Sequence, residues 1–526
     1  MAQHNGNPNA EPPRFLIIGA GSRGNTYARF IKQSTNGIVA AVADPVEFKR
    51  RELGRKYIWG DSDPLPEQEF LDWRVFVEYE EQRRRDALMG RKVPPAIDGV
   101  FICVLDEQHA EVITGLAPLN LHIMSEKPLA TTLKDCLHIY SSMLSRNPAL
   151  GPEAVFGIGH VLRYSPHNML LRQLVLEEKV IGEILSIEHT EPVGWWHFSH
   201  SYVRGNWRKE STTASSLLTK SCHDIDFILW LLCSPAPGSS NAAHLPSSVT
   251  STGSLKYFKK SRKPVTAGDA TNCLSCPIKK DCMYSAWKIY HDKHLAKGKT
   301  DWPVNIVNPE IESCYNAEGL TAAASKLKHT LEEDYTPSTP QQKIDRRPWF
   351  GRCVWESDND VCDDQHVTIT WDDDPLPNAT DSATALKGRG AKTATFHMIA
   401  QTERQCERRG RIYGTKGEIT YDSRTITVYD FASGGSTRFN PPQPGGGHGG
   451  GDDGLTGQFV RAVDAVKNQG MGVLEAQVTY VGCTLEEIVR SHAMVFAAEE
   501  ARKERKVVDW MEWWARMVDG PLSRSE

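Results

Sequence analysis

Several things are missing from this chain, and each absence narrows its role. No uninterrupted apolar run approaches the roughly 20 residues that a bilayer demands, so no membrane partner is expected. Neither charge sign dominates: 61 Lys plus Arg stand against 66 Asp plus Glu, a formal net charge of −5. That balance gives no reason to expect nucleic acid as a partner. The opening MAQHNGNPNAEPP lacks both a basic leader and an apolar secretion core. It reads as a disordered leader over residues 1–13 of a cytoplasmic protein. Cysteine is sparse, 12 in 526 residues, and without a secretion signal disulfides are not expected. No internal repeat is found. The chain is too long for one hydrophobic core, so at least two structural units are expected.

The first unit, residues 14–150, opens with a short apolar strand over 15–18. Gly19, Gly21 and Gly24 follow in G-x-G-x-x-G spacing before an amphipathic helix. This spacing suits a tight turn at Gly19, backbone approach to a pyrophosphate at Gly21 and close helix–strand packing at Gly24. The helix N-terminus, with Ser22 and Arg23 beside it, offers unpaired N–H groups to phosphates. A second strand over 38–43 ends in Asp44, placed to meet the adenosine ribose hydroxyls. A carboxylate there repels a 2′-phosphate and favours NAD; Arg50 and Arg51 keep NADP as the alternative. Further strands over 99–105 and 121–124 lead to Asp106, His109, Glu126, Lys127 and Pro128. Alternating strands and helices predict a doubly wound, mostly parallel α/β sheet of Rossmann type. Residues 57–95 read as a charged helical excursion.

The motifs Gly19-Ala20-Gly21-Ser22-Arg23-Gly24, Asp106-x-x-His109 and Glu126-Lys127-Pro128 resemble those of the Gfo/Idh/MocA family of NAD(P)-dependent, mainly sugar-directed oxidoreductases. The likeness extends to residues 156–164, which resemble the strand opening the family's second domain. It also covers the Cys222–Asp226 helix start and the strand pair at 411–421. The resemblance implies a C-terminal α/β domain with an open, largely antiparallel sheet, over residues 151–475, that often mediates homo-oligomer formation. It also implies that Lys127 contacts the reacting hydroxyl and that His223 acts as base or proton relay. Many members carry an Asp one helical turn before the His. Here that position is Thr219, leaving Asp224, Lys220 or bound substrate to orient the imidazole.

Alternation over 181–190, 367–371, 395–400 and 424–429 independently reads as strands of a partly solvated sheet. Residues 191–208, EPVGWWHFSHSYVRGNWR, mix aromatic faces that can pack on a pyranose with groups that can bond its hydroxyls. Trp195, Trp196, His197, Arg204, Asn206 and Trp207 are therefore substrate candidates, with Arg163 and Lys220. A glycine-rich stretch over 445–454 reads equally as a linker or as a flap carrying His448 over a sugar. Residues 234–253 and 336–340 read as connectors. The segment 476–506 reads as a helix followed by a tail, to 526, that Trp510, Trp513 and Trp514 pack against the body.

Cys273, Cys276 and Cys282 cluster in an insertion spanning about 256–352. Two thiolates in C-x-x-C can share one metal, and a third nearly completes a tetrahedral set. Cys353 is the favoured fourth ligand, with Cys314 and Cys362 as alternatives. Structural zinc is the favoured occupant; an iron–sulfur cluster and free thiols are the other readings. The functional expectation is hydride transfer between NAD(P) and a hydroxyl of a sugar, cyclitol or glycoside. Its alternatives are an NAD-dependent glycosidase working by transient oxidation and elimination, and a non-catalytic NAD-binding regulator.

Overall fold

A computed structural model describes residues 10–144, 154–234, 241–377, 381, 385–444 and 447–524. Residues 1–9 of the expected leader, 235–240 of the first expected connector and 445–446 of the glycine-rich stretch lie outside the described residues.

The first sheet is assembled from β1 (Arg14–Ile18), β2 (Ile38–Ala43), β3 (Glu69–Phe70), β4 (Gly99–Ile102), β5 (His122–Ser125) and β6 (Phe156–Ile158). All pairings are parallel, in the order β3-β2-β1-β4-β5-β6. This is the doubly wound order whose switch point lies between β1 and β4. Its central strand β4 is buried along its whole length, as a sheet covered on both faces requires. The covering helices include α1 (Ser22–Ser34), α2 (Glu47–Tyr57), α3 (Trp73–Leu88), α4 (His109–Leu116) and α5 (Leu133–Met143). The excursion expected over 57–95 contains the edge strand β3 as well as α3.

β6 departs from expectation. Residues 156–158 close the first sheet against β5 instead of opening the second domain. Its outer edge is satisfied by one side chain: Gln477 accepts from the Phe156 N–H at 2.8 Å and donates to the Phe156 carbonyl at 2.7 Å. An amide presents both groups in one plane, so it can replace a neighbouring strand's pair of bonds.

The second sheet has nine strands. They are β7 (Ile184–Pro192), β8 (Ser248–Ser254), β9 (Asp364–Trp371), β10 (Lys392–Ile399), β11 (Arg409–Gly414), β12 (Gly417–Tyr421), β13 (Ile426–Asp430), β14 (Ser436–Phe439) and β15 (Val508–Asp509). The order is β14-β13-β12-β11-β7-β10-β9-β8-β15. Only β7 and β10 pair in parallel; the rest are antiparallel. Strict alternation marks the buried face: Gln365, Val367, Ile369 and Trp371 on β9, and Ala394, Phe396 and Met398 on β10. β8 falls inside the expected connector at 234–253. Its Ser and Thr residues read as loop composition, yet Val249, Thr250 and Thr252 are β-branched and pair along β9, which suits a half-buried strand.

Against the buried face lies α6 (Ser216–Leu232), every residue of which is buried. It is packed between the sheet and α9 (Leu485–Glu504). Between β8 and β9 the insertion forms a smaller core of its own. Trp196, Ile289, Tyr290, Leu295, Val304, Leu327 and Phe350 contribute to it, together with α7 (Ile311–Glu332). Helix α8 (Gly451–Gln469) begins inside the glycine-rich stretch and packs on α1. Phe459 contacts both Phe15 and Phe101 there, at ring separations of 6.0 and 5.3 Å. A C-terminal helix therefore completes the N-terminal layer. Trp510 and Trp513 stack at 5.8 Å and are buried, anchoring the tail.

Candidate active site

The glycine turn has the geometry its spacing predicts. Gly19 has φ +94°, and a Cβ there would lie 2.5 Å from the Cys103 carbonyl oxygen. A Cβ on Gly24 would lie 2.1 Å from the Gly19 carbonyl oxygen. Gly21 differs: nothing lies within 4 Å of where its Cβ would be. An open space thus faces the backbone just ahead of α1, the place a dinucleotide's pyrophosphate requires. Asp44 follows β2, its carboxylate accepting from Ala20 N at 2.7 Å and Val46 N at 2.8 Å. Arg50 and Arg51, the NADP option, both pair with Glu69, at 2.8 and 2.9 Å. These residues fit NAD.

Beyond the other strand ends, Asp106, His109 and the 126–128 run interlock. His109 starts α4, fully buried, its Nδ1 at 2.6 Å from the Pro128 carbonyl oxygen. Glu126 accepts from the Tyr27 hydroxyl at 2.6 Å and pairs with Arg23. Burial works to raise its pKa, but Arg23 and the hydrogen bonds hold it below the usual carboxylate range. Arg23 also donates to Asp452 at 2.7 Å, so its side chain is spent on two carboxylates. Asp106 accepts from the Trp207 indole N–H at 2.8 Å; burial pushes its carboxyl up.

Lys127 reaches across the cleft. Its ammonium donates to the Thr219 carbonyl oxygen on α6 and lies 5.9 Å from the Trp207 ring centroid. Thr219's own hydroxyl is turned back to the Ser215 carbonyl at 3.1 Å. Thr219, one turn before His223, thus contributes a main-chain acceptor to the lysine.

One turn further along α6, the His223 Nε2 lies 2.7 Å from an Arg408 guanidinium nitrogen and 3.3 Å from Asp224. Arg408 also pairs with Asp224 at 2.9 Å and with Glu191 at 2.6 Å. Lys220 pairs with Glu191 at 2.9 Å and lies 3.0 Å from the Cys406 sulfur. Asp224 is further bonded to His189 at 3.0 Å. This is one buried network of two cations and two carboxylates around an imidazole. Burial, then the Arg408 charge, outweigh Asp224 and hold His223 well below its ordinary pKa, so the ring is neutral at physiological pH. Arg408 is a donor at every accessible pH, which makes Nε2 the acceptor. The ring proton is thereby assigned to Nδ1, a buried atom with no hydrogen-bond partner among the described residues.

His448 is brought to this network. Its ring centre lies 5.9 Å from that of His223, and its Nδ1 is 3.0 Å from Asp452. Asp452 in turn accepts from Arg23, so the glycine-rich segment joins the start of α1 to the imidazole. His197 sits at the margin, 3.5 Å from the Cys406 sulfur. Asn206 shares a short turn with Trp207.

Four substrate candidates are placed elsewhere. Arg163 is buried in a bidentate pair with Asp226 at 2.7 and 2.8 Å. Trp196 belongs to the insertion core, against Trp302 and His294, and Trp195 packs edge-on to Tyr284 at 5.6 Å. Arg204 is fully buried among the insertion's cysteines. In this tryptophan- and arginine-rich run, burial in a local core decides most positions, and Trp207 is the one that bonds across the cleft. Sequence reasoning missed Arg408 and Glu191. Their signal was a charged pair flanking predicted sheet strands, far apart in the chain.

Residues 13–150 match the family model Gfo/Idh/MocA, described as an oxidoreductase family with an NAD-binding Rossmann fold. Among curated proteins, the putative oxidoreductase YteT of Bacillus subtilis is 24% identical over 36% of this chain and 41% of its own length. The 2,7-anhydro-N-acetylneuraminate hydratase of Escherichia coli is 24% identical over 41% and 49%. Inositol 2-dehydrogenase 2 of Paenarthrobacter aurescens is 29% identical over 26% and 38%. The chain spans less than half the length of these curated relatives. Over nearly its whole length it shares the fold of a levoglucosan dehydrogenase solved with NADH and levoglucosan. The TM-score is 0.55, with 16% identity, 95% of this chain and 99% of that one covered.

Proposed function

The N-terminal domain being of the Gfo/Idh/MocA oxidoreductase family, we propose that the protein is an NAD-dependent oxidoreductase acting on a hydroxyl of a sugar or cyclitol. The observation that carries this reading is the placement of Lys127. Its ammonium lies at the C-terminal end of the parallel sheet, across the cleft from α6, beside the Trp207 ring and the His223 network. Bound NAD would supply the hydride acceptor or donor; Gly21 and the start of α1 would hold its pyrophosphate and Asp44 its ribose.

The chain's own residues account for the rest. In the oxidising direction the hydroxyl must lose a proton, and the Lys127 amine is the group placed to take it. His223 Nδ1–H, unpartnered among the described residues, donates a hydrogen bond to the same oxygen, steadying its developing charge. This assigns His223 a donor's role, because Arg408 occupies the nitrogen that a base would use. In the reducing direction the Lys127 ammonium returns the proton, and His223 Nδ1–H keeps its hydrogen bond to the oxygen. Trp207 offers an aromatic face to the sugar ring, while Lys220 and Glu191 are available to its neighbouring hydroxyls.

Relatives named as inositol and levoglucosan dehydrogenases favour net hydride transfer over the glycoside-cleaving alternative. Presence of both Lys127 and His223 favours an enzyme over a regulator. Asp44 and the engaged Arg50 and Arg51 favour NAD over NADP. Homo-oligomer formation through the open sheet face is part of the proposal, and light scattering on the purified protein tests it. The activity test is NADH formation across a panel of cyclitols, anhydrosugars and aldoses. Turnover with at least one polyol, abolished in Lys127→Ala while NAD binding persists, supports the reading. Turnover unchanged by that substitution overturns it.

A further inference from the structure

Arg204 carries the structure's least expected charge. Its side chain is fully buried, yet no carboxylate among the described residues pairs with it. Its guanidinium donates to the Arg352 carbonyl at 2.6 Å and the Tyr284 carbonyl at 2.7 Å. It also lies 3.3 Å from the Cys273 sulfur, and Nη1 has no hydrogen-bond partner meeting ordinary geometry among the described residues. Removing a full positive charge from water without an opposite charge is costly. The counter-charge must come from what Arg204 faces.

What it faces is a small cavity lined by Cys273, Cys276, Cys282 and Cys353 together with Arg204 itself. The backbone brings these cysteines together from two places. Cys273–Cys282 is a run of tight turns, with Cys276 N bonded to the Cys273 carbonyl and Cys282 N to the Ile278 carbonyl. Cys353 arrives from the far end of the insertion, through the Asn272–Arg352 bridge and the bonds Cys273 N to Gly351 O and Cys353 N to Thr271 O, both 2.8 Å. Cys314 lies instead on α7, against the insertion core, and Cys362 is packed in the main core.

We propose that Cys273, Cys276, Cys282 and Cys353 bind a zinc ion as thiolates, with Arg204 as the buried cation that offsets part of the site's negative charge. Each thiol gives up its proton to solvent as its zinc–sulfur bond forms. Zinc with four thiolates carries a formal charge of about −2, which supplies the partner Arg204 lacks. Among the described residues, the trios of ligand atoms already within 4.8 Å of one another are His160, Cys222 and His492; His160, Asp226 and Cys483; and Asp364, His366 and His397. The four thiols line a looser space, and a tetrahedral site with ~2.3 Å bonds requires their side chains to turn inward to ~3.8 Å edges. The centre would pin both ends of the insertion to the segment that carries Trp207, three residues beyond Arg204.

Elemental analysis of the full-length protein, expressed with zinc and iron both supplied, tests this. The expected result is about one zinc per chain, lost in Cys273→Ser/Cys276→Ser and kept in Cys314→Ser. Should the double variant be insoluble, the native protein is titrated with a mercurial thiol reagent in the presence of a zinc-sensitive dye. Zinc released in step with thiol modification then supports the site. Metal-free native protein, zinc retained by the double variant, or iron with acid-labile sulfide overturns it.

Discussion

The two walls of the cleft are built on opposite plans. On the sheet side, the groups that face a ligand stand at the ends of successive parallel strands. The turn after β1, Asp44 after β2, Asp106 after β4 and Lys127 after β5 are each set by local backbone. On the opposite wall, Glu191, Lys220, His223, Asp224 and Arg408 come from β7, α6 and the approach to β11, and they hold one another by charge. A backbone-built wall tolerates the loss of one side chain with its shape intact. A charge-built wall does not, because each deletion unbalances a buried network of opposite charges.

The sharpest separation is expected from Lys127→Ala and Arg408→Leu. The first should lower kcat/KM by about 10³-fold or more, the scale of a lost acid–base group, while far-UV CD and NAD affinity stay near wild type. Arg408→Leu leaves Asp224 without a cation and Glu191 with Lys220 alone, and should cost about 3–5 kcal/mol in denaturant unfolding. If Arg408→Leu unfolded like wild type, the contrast between the walls would fail.

Acid should discriminate next. Burial holds His122, on β5, at about 4, and His200 and His492 at about 3. The unfolded chain takes up these protons below about pH 6.5, whereas the folded protein does not. Stability is therefore fully present above pH 6.5 and falls as pH drops towards 4, by up to about 1.4 kcal/mol per pH unit for each histidine. His122→Asn should flatten the profile by one histidine's share, and melting temperatures at pH 7.5, 6 and 5 read this out. The smallest effect is expected at Asp44. Asp44→Ser should raise the KM for NAD about tenfold, the scale of a lost charged hydrogen bond, and narrow the preference over NADP. An unchanged KM would remove Asp44 from the ribose site.

The same contrast explains what could be read in advance. G-x-G-x-x-G, Asp44 and the 126–128 run are contiguous, and their chemistry follows from strand ends whose period is visible in the chain. Arg408 could not be found that way. It is one arginine among several in the 404–411 segment, and only the folded sheet brings it to His223 across 185 positions. The tryptophan-rich run at 195–207 misled for a related reason. Aromatics suit a sugar wall and a core equally, and only packing shows that Trp196 belongs to the insertion core while Trp207 bonds across the cleft. β6 and α8 crossed the expected domain boundary because their neighbours are spatial: Phe156 pairs with Ile123, and Phe459 packs on Phe101.

The nine-stranded sheet is hemmed on one margin by the chain's own end. β15 pairs with β8 through Val508 and Val249, and the tryptophans beyond it weigh that hem down. Clipping the chain before Val508 would bare a row of unsatisfied amides along β8, a ready template for sticking to other chains. An affinity handle is therefore better fused after the last helix, beyond the hem, than used to replace it.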